Sequence, residues 1–180
     1  AAGDGNAVPL DPATLDAIAG LYHDVETGEP LRIVRESTSL RIDGGTALRA
    51  QSGSRFVASN GRRFEFEAPG RLRVVDQFGS ADRYERVADA DLKPRTPSDY
   101  AGTYTSEEAE VTMTAAIQDG VVVLRRRPDS TLRLTPVYAD GFRGQIGFVR
   151  FHRDASGQIT GFSVSQERVW DLRFTRQAER

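Results

Sequence analysis

Phe64-Glu65-Phe66-Glu67-Ala68-Pro69-Gly70-Arg71-Leu72-Arg73-Val74 is the stretch that decides the fold. Apolar and charged residues alternate on both sides of a Pro-Gly turn, which is the period of a half-buried strand and not of a helix. Read as a hairpin with a three-residue loop, Ala68-Pro69-Gly70, it pairs Phe66 with Leu72 and Glu67 with Arg71. One face is then apolar, and the other carries cross-strand ion pairs worth roughly 0.2–1 kcal/mol each.

The same alternation recurs outward in both directions, at Leu31 to Val34, Leu40 to Ile42, Ala47 to Ala50, Val111 to Ile117, Val121 to Arg125, Leu132 to Val137, Phe148 to Phe151 and Trp170 to Phe174. In Ile159 to Val164 the apolar parity switches at Gly161, the mark of a bulge or bend. Helical periodicity is nearly absent, so the chain reads as all-β. It also repeats itself at about 82 to 87 residues. Asp11-Pro12 precedes Ala19-Gly20-Leu21-Tyr22 as Thr96-Pro97 precedes Ala101-Gly102-Thr103-Tyr104, each an N-cap and N1 proline followed by a strand opening at Tyr. Phe64-Glu65-Phe66 matches Val149-Arg150-Phe151, Gly70-Arg71-Leu72 matches Gly157-Gln158-Ile159, and Tyr84 to Val87 matches Trp170 to Phe174.

Each copy holds about eight short strand signals in about 80 residues. Eight short antiparallel strands close best into a small barrel, because closure removes exposed sheet edges, and at that size side chains fill the interior. The expected organisation is a linker over residues 1–10, a first eight-stranded barrel over 11–88, a Pro-rich linker over 89–97 and a second eight-stranded barrel over 98–177. Ala1 to Asp11 has no strand pattern and reads as an interdomain linker following an upstream domain. Trp170, Leu172 and Phe174 share a strand parity, which places Trp170 inside the second barrel.

The 180 residues carry 24 Lys+Arg and 26 Asp+Glu, a net charge of -2 that supplies no positive field for nucleic acid or an anionic membrane. No apolar run approaches the ~18 residues of a membrane helix. With no cysteine there is no disulfide, thiolate nucleophile or Cys-ligated metal. His23 and His152 stand in non-matching places of the two copies and read as exposed strand or turn residues without metal-ligand spacing. Asp24, Glu26, Glu107, Glu108 and Glu110 read as solvated acids beside turns. There is no GxSxG elbow, and Lys93, the sole lysine, has Ala90 where an SxxK motif needs Ser. Asp43-Gly44-Gly45 is a hairpin turn and not a phosphate cradle. Arg125-Arg126-Arg127 reads as a solvated or ion-paired edge, with a protein interface as the second reading. No catalytic, cofactor-binding or metal-ligating residue is assigned.

The motifs Ala101-Gly102-Thr103-Tyr104, Asp119-Gly120-Val121, Leu132-Arg133-Leu134-Thr135-Pro136-Val137, Asp140-Gly141-Phe142, Val149 to Gly157 and Ile159 to Phe162 resemble the C-terminal region of β-lactamase-like, penicillin-recognising serine hydrolases, a group that includes D-aminopeptidases. Ala19-Gly20-Leu21-Tyr22 and Thr27 to Leu31 resemble the companion module placed before it. The resemblance spans about Leu10 to Phe174. It implies two lipocalin-like barrels acting as a non-catalytic accessory region of an exported, periplasmic or extracellular, bacterial hydrolase. The catalytic Ser, Lys and Tyr of that family belong to a separate domain and have no matching positions here. The partner expected is therefore a serine-hydrolase domain of the same polypeptide, with neither nucleic acid nor membrane involved. The isolated chain is expected to hydrolyse neither β-lactams nor D-amino-acid peptides. A lipocalin-like protein holding a small apolar or peptide-like ligand is the alternative, and a stand-alone enzyme using scattered Asp, Glu or His is the third.

Overall fold

A computed structural model describes residues 7–90, 96–127, 129–166 and 169–178, so that most of the Lys93 stretch of the central linker and the start of the N-terminal one lie outside the described residues. The chain divides into two compact units, Ala1–Val87 and Ala88–Arg180. Both are all-β.

The first unit opens with helix α1 (Pro12–Ile18), whose Asp11 cap accepts from the Thr14 amide at 2.9 Å. Strands β1 (Gly20–Asp24), β2 (Pro30–Glu36), β3 (Ser39–Ile42) and β4 (Ala47–Ala50) follow. They continue into β5 (Arg55–Ala58), β6 (Arg63–Ala68), β7 (Arg71–Val75) and β8 (Ala81–Val87), and β8 pairs with β1 to close an antiparallel barrel. Its core is Tyr22, Ile33, Leu40, Leu48, Phe56, Phe64, Leu72 and Val74, with Leu15 and Ile18 of α1 sealing one end. The end of the expected N-terminal linker belongs to this barrel: the Val8 amide donates to Ala50 O at 3.1 Å and Leu10 packs on the core.

The deciding hairpin forms with one change of register. Phe66 faces Leu72 as expected, but a bulge at Glu67 puts Ala68, and not Glu67, opposite Arg71 across a tighter turn. The ion pair on the outer face is Glu65 with Arg73, at 2.8 Å.

The second unit starts with a single 3-10 turn (Pro97–Tyr100), then β9 (Gly102–Ser106), β10 (Val111–Gln118), β11 (Val121–Arg127), β12 (Ser130–Arg133) and β13 (Thr135–Tyr138). It ends with β14 (Gly141–Gly144), β15 (Gly147–Arg153), β16 (Ile159–Gln166) and β17 (Val169–Arg176). These form one antiparallel sheet in the order β12-β11-β10-β9-β17-β16-β15-β14-β13. Nine segments stand where eight strands were expected, because the single strand read over Leu132 to Val137 breaks at Leu134. Leu134 turns into the core at 1% exposure, so β12 pairs with β11 and β13 with β14, and this bent segment carries the chain between the two ends of the sheet. The bulge expected at Gly161 falls one residue earlier, on Thr160, between the pairs His152–Gly161 and Arg153–Ile159.

Trp170 departs from the expectation of burial: it is 76% exposed. Val164 faces Leu172 and Gln166 faces Val169, so the single residue Ser165 lies opposite both Trp170 and Asp171. Asp171 takes a left-handed φ of 53°, and this extra residue reverses the parity that reaches Trp170. Trp170 emission is therefore expected at the wavelength of a solvated indole and to be quenched by iodide. A Trp170→Ala change should move stability by no more than about 0.5 kcal/mol. Blue-shifted, iodide-resistant emission would contradict this register.

Each unit is tied together at one end by the same two side chains, a tyrosine and an arginine, above a glycine. The Tyr22 hydroxyl donates to Ile18 O at 2.7 Å, and Arg86 donates to Ala17 O at 2.8 Å and to Ala19 O. In the second unit the Tyr104 hydroxyl donates to Tyr100 O at 2.8 Å, and Arg176 donates to Ala101 O at 2.6 Å and to Asp99 O at 3.3 Å. The guanidinium lies over a glycine that begins the first strand; a Cβ on Gly20 would stand 2.5 Å from Arg86, and one on Gly102 3.0 Å from Arg176. Arg86 therefore corresponds to Arg176, beyond the Trp170 to Phe174 match read from sequence.

Candidate functional site

A grouping of chemistry-bearing side chains away from the core lies on the outer face of β15, β16 and β17. Val149, Phe151, Phe162, Val164 and Phe174 belong to the core, so strand alternation sends Arg150, His152, Ser163, Ser165 and Arg173 outward. Register aligns Arg150 with Ser163 and Ser163 with Arg173, forming one row across three strands. Neighbouring strands are about 4.8 Å apart, so the two arginine backbones are about 10 Å apart with Ser163 between them.

His152 Nε2 lies 3.0 Å from Ser163 Oγ. Both histidines are half-buried, which corrects their reading as exposed residues. Burial holds the His152 imidazole below its ordinary value, and the Arg150 and Arg173 cations add to this while Asp171 and Asp140 oppose it. A neutral imidazole hydrogen-bonded to a serine is the pairing that activates a nucleophile in acyl transfer. Here Ser163 is only 1% exposed, so its hydroxyl is withheld from solvent and ties β16 to β15.

The other residues singled out in the sequence do not converge on a site. Asp24 is buried at 8% exposure, in place of the solvated acid expected, because its Oδ1 accepts from the Glu26 and Thr27 amides at 2.8 Å each and so builds the β1–β2 turn. Glu26, Glu107, Glu108 and Glu110 are exposed. Arg125, Arg126 and Arg127 are exposed at the end of β11, with Arg125 Nη2 donating to Gln118 Oε1 at 3.3 Å. Among the described residues no group of three His, Asp or Glu side chains is placed to hold a metal ion.

A second cluster, around Asp140 at the capped end of the second barrel, is assembled from separate segments and has no local signature in the sequence. Asp140 accepts from the Tyr100 hydroxyl at 2.8 Å and from Arg153 Nε and Nη2 at 2.9 Å each. Arg153 Nη1 donates to Gly157 O at 2.7 Å, so the carboxylate and the guanidinium are both engaged in holding the 3-10 turn to β15. Burial first, then the hydrogen bond and charge of Asp140, push the Tyr100 phenol up to about 12. Burial and the charges of Asp24 and Asp82 do the same to Tyr84, also to about 12. The unfolded chain ionises these phenols near pH 10. Their contribution to stability is therefore complete below pH 10 and is lost as pH rises from there through about 12. Phenolate absorbance should show Tyr84 and Tyr100 ionising late and together with unfolding, and Tyr100→Phe and Tyr84→Phe should each remove one late step. Ionisation of all tyrosines near pH 10 with the fold intact would contradict this.

In comparisons with known proteins the chain matches no family model and no curated protein.

Proposed function

We propose that this chain is a non-catalytic interaction region: twin barrels that pack on a β-lactamase-like or D-aminopeptidase-like serine-hydrolase domain and modulate it. The supporting observation is where the barrels spend their side chains. The first interior is filled by Tyr22, Phe56, Phe64 and aliphatic residues, and the second by Tyr104, Phe142, Phe151, Phe162 and Phe174. A ligand-holding barrel needs a cavity of roughly 300 Å³ or more, and these aromatic rings occupy the place where it would lie. Recognition then falls to the outside. There Phe78 is 86% exposed on the β7–β8 turn, and Trp170 occupies the corresponding last hairpin of the second unit. Asp76 Oδ1 accepts from the Phe78 amide at 2.8 Å and from the Ser80 amide at 2.9 Å, so Phe78 is presented on a turn fixed before any partner arrives. The motif likeness to the C-terminal region of serine hydrolases supplies the identity of the partner and, with it, an exported parent enzyme.

The test is the full open reading frame followed by deletion. An SxxK domain upstream of Ala1 is expected. Removing residues 1–180 from that product should lower its thermal stability or change its substrate range, while the nucleophile still reacts with a mechanism-based acylating probe. An isolated 1–180 chain should turn over neither β-lactams nor D-amino-acid peptides. A signal peptide directly before Ala1, or a deletion that changes neither stability nor substrate range, would overturn the proposal in favour of a ligand-binding barrel.

A further inference from the structure

We propose that the outer face of β15–β17 binds an oxyanion, a carboxylate or phosphate group, with Arg150 as its principal donor. This inference does not depend on the hydrolase reading.

Arg150 is half-buried, and among the described residues it has neither an ion pair nor a hydrogen-bond acceptor. Among the described residues every other half-buried arginine is engaged: Arg41 by Glu36, Arg73 by Glu65, Arg176 by backbone carbonyls, Arg62 by the face of Phe64 with its guanidinium carbon 5.8 Å from the ring centroid, and Arg32 likewise has a contact. A guanidinium that has lost part of its hydration without gaining a counter-ion is costly, and an incoming anion removes that cost. Its planar fork suits a carboxylate or phosphate edge.

The surroundings repeat the same deficit. Ser165, next to Ser163 on this face, is 3% exposed and its Oγ has no partner, a buried hydroxyl whose hydrogen bond is unmade. Ser163 already meets His152 at 3.0 Å. Arg173 adds a second cation at the far end of the row, partly balanced by Asp171, whose Oδ2 lies 2.7 Å from it. Trp170, the residue before Asp171, is 76% exposed. Two arginines against one aspartate leave the row cationic on a chain whose net charge is -2.

His152 reports on the site because Arg150 and Arg173 lower its affinity for protons, while Asp171 and Asp140 raise it. An anion seated on Arg150 offsets that cation and makes His152 easier to protonate. The experiment follows the His152 ring resonances by NMR from pH 5 to 8, assigned with a His152→Gln spectrum. Sodium acetate and sodium phosphate are titrated separately against sodium chloride at matched ionic strength. The expected result is a saturable His152 shift at millimolar acetate or phosphate, with its titration midpoint moved to higher pH. Saturation by acetate alone assigns the site to carboxylates, and by phosphate alone to phosphoryl groups. In Arg150→Gln the midpoint should rise without any ligand and the saturable response should vanish, whereas Arg133→Gln should respond as the native chain does. A shift that grows linearly, that chloride reproduces, or that survives Arg150→Gln overturns the proposal. Should Arg150→Gln fail to fold, a non-saturating response of the native chain still does so.

Discussion

Phe162→Ala is expected to cost about 3–5 kcal/mol, the largest effect of any single truncation in the second unit. Phe162 is fully buried, with its ring stacked on Phe174 at 4.6 Å between centroids and 15° between planes. Tyr104 and Phe151 meet it at 5.1 and 5.3 Å. Truncation removes the ring on which three others converge, and the walls cannot close the space because each belongs to a different strand held by its own ladder. Against a typical domain stability of about 5–15 kcal/mol this is a large fraction. Urea unfolding followed by far-UV circular dichroism should show a matching drop, and amide exchange should quicken in β15–β17. Phe162→Leu should recover more than half of the loss. A Phe162→Ala cost under about 1 kcal/mol would mean that the core sits elsewhere.

That core was legible in the sequence because alternation is a local signal: Phe64 and Phe66, or Val149 and Phe151, disclose strand and inner face together. What escaped depends on single extra residues. The bulge at Glu67 moved Arg71 onto Ala68, and the left-handed Asp171 turned Trp170 outward; both sit in stretches whose polar and apolar alternation is unbroken. The bulge on Thr160 did announce itself, since the parity visibly fails at the neighbouring Gly161. Leu134 escaped for another reason. Its neighbours alternate normally, and the bend is required only because the chain passes there from one end of the nine-stranded sheet, β12, to the other, β13. The outer-face row escaped most completely. Arg150, Ser163 and Arg173 belong to three strands and come together only through two registers, and nothing in the local pattern of any one strand distinguishes them from ordinary solvent-facing residues.

Arg176→Met is expected to cost about 2–3 kcal/mol, a figure set by charge-assisted hydrogen bonds to carbonyls that are then left without a donor. Arg176 reaches Ala101 O, Asp99 O and, at 3.3 Å, Ile159 O, so one side chain joins the last strand to the 3-10 turn, to the start of β9 and to β16. Methionine keeps most of the aliphatic stem and removes the donors. Arg86→Met should cost less, about 1 kcal/mol, because Arg86 is exposed and water can replace it at Ala17 O and Ala19 O. The glycine beneath supplies the sharper test. Gly102→Ala places a methyl 3.0 Å from Arg176 Nε, so the methyl and the guanidinium compete for one space. In an Arg176→Met background that competition is relaxed, while any backbone strain of the alanine is common to both backgrounds and cancels in a double-mutant cycle. The combined cost should therefore fall at least about 0.5 kcal/mol short of the sum of the single costs. Strict additivity would mean that Arg176 does not rest on Gly102, and the tie shared by the two units would lose its physical basis.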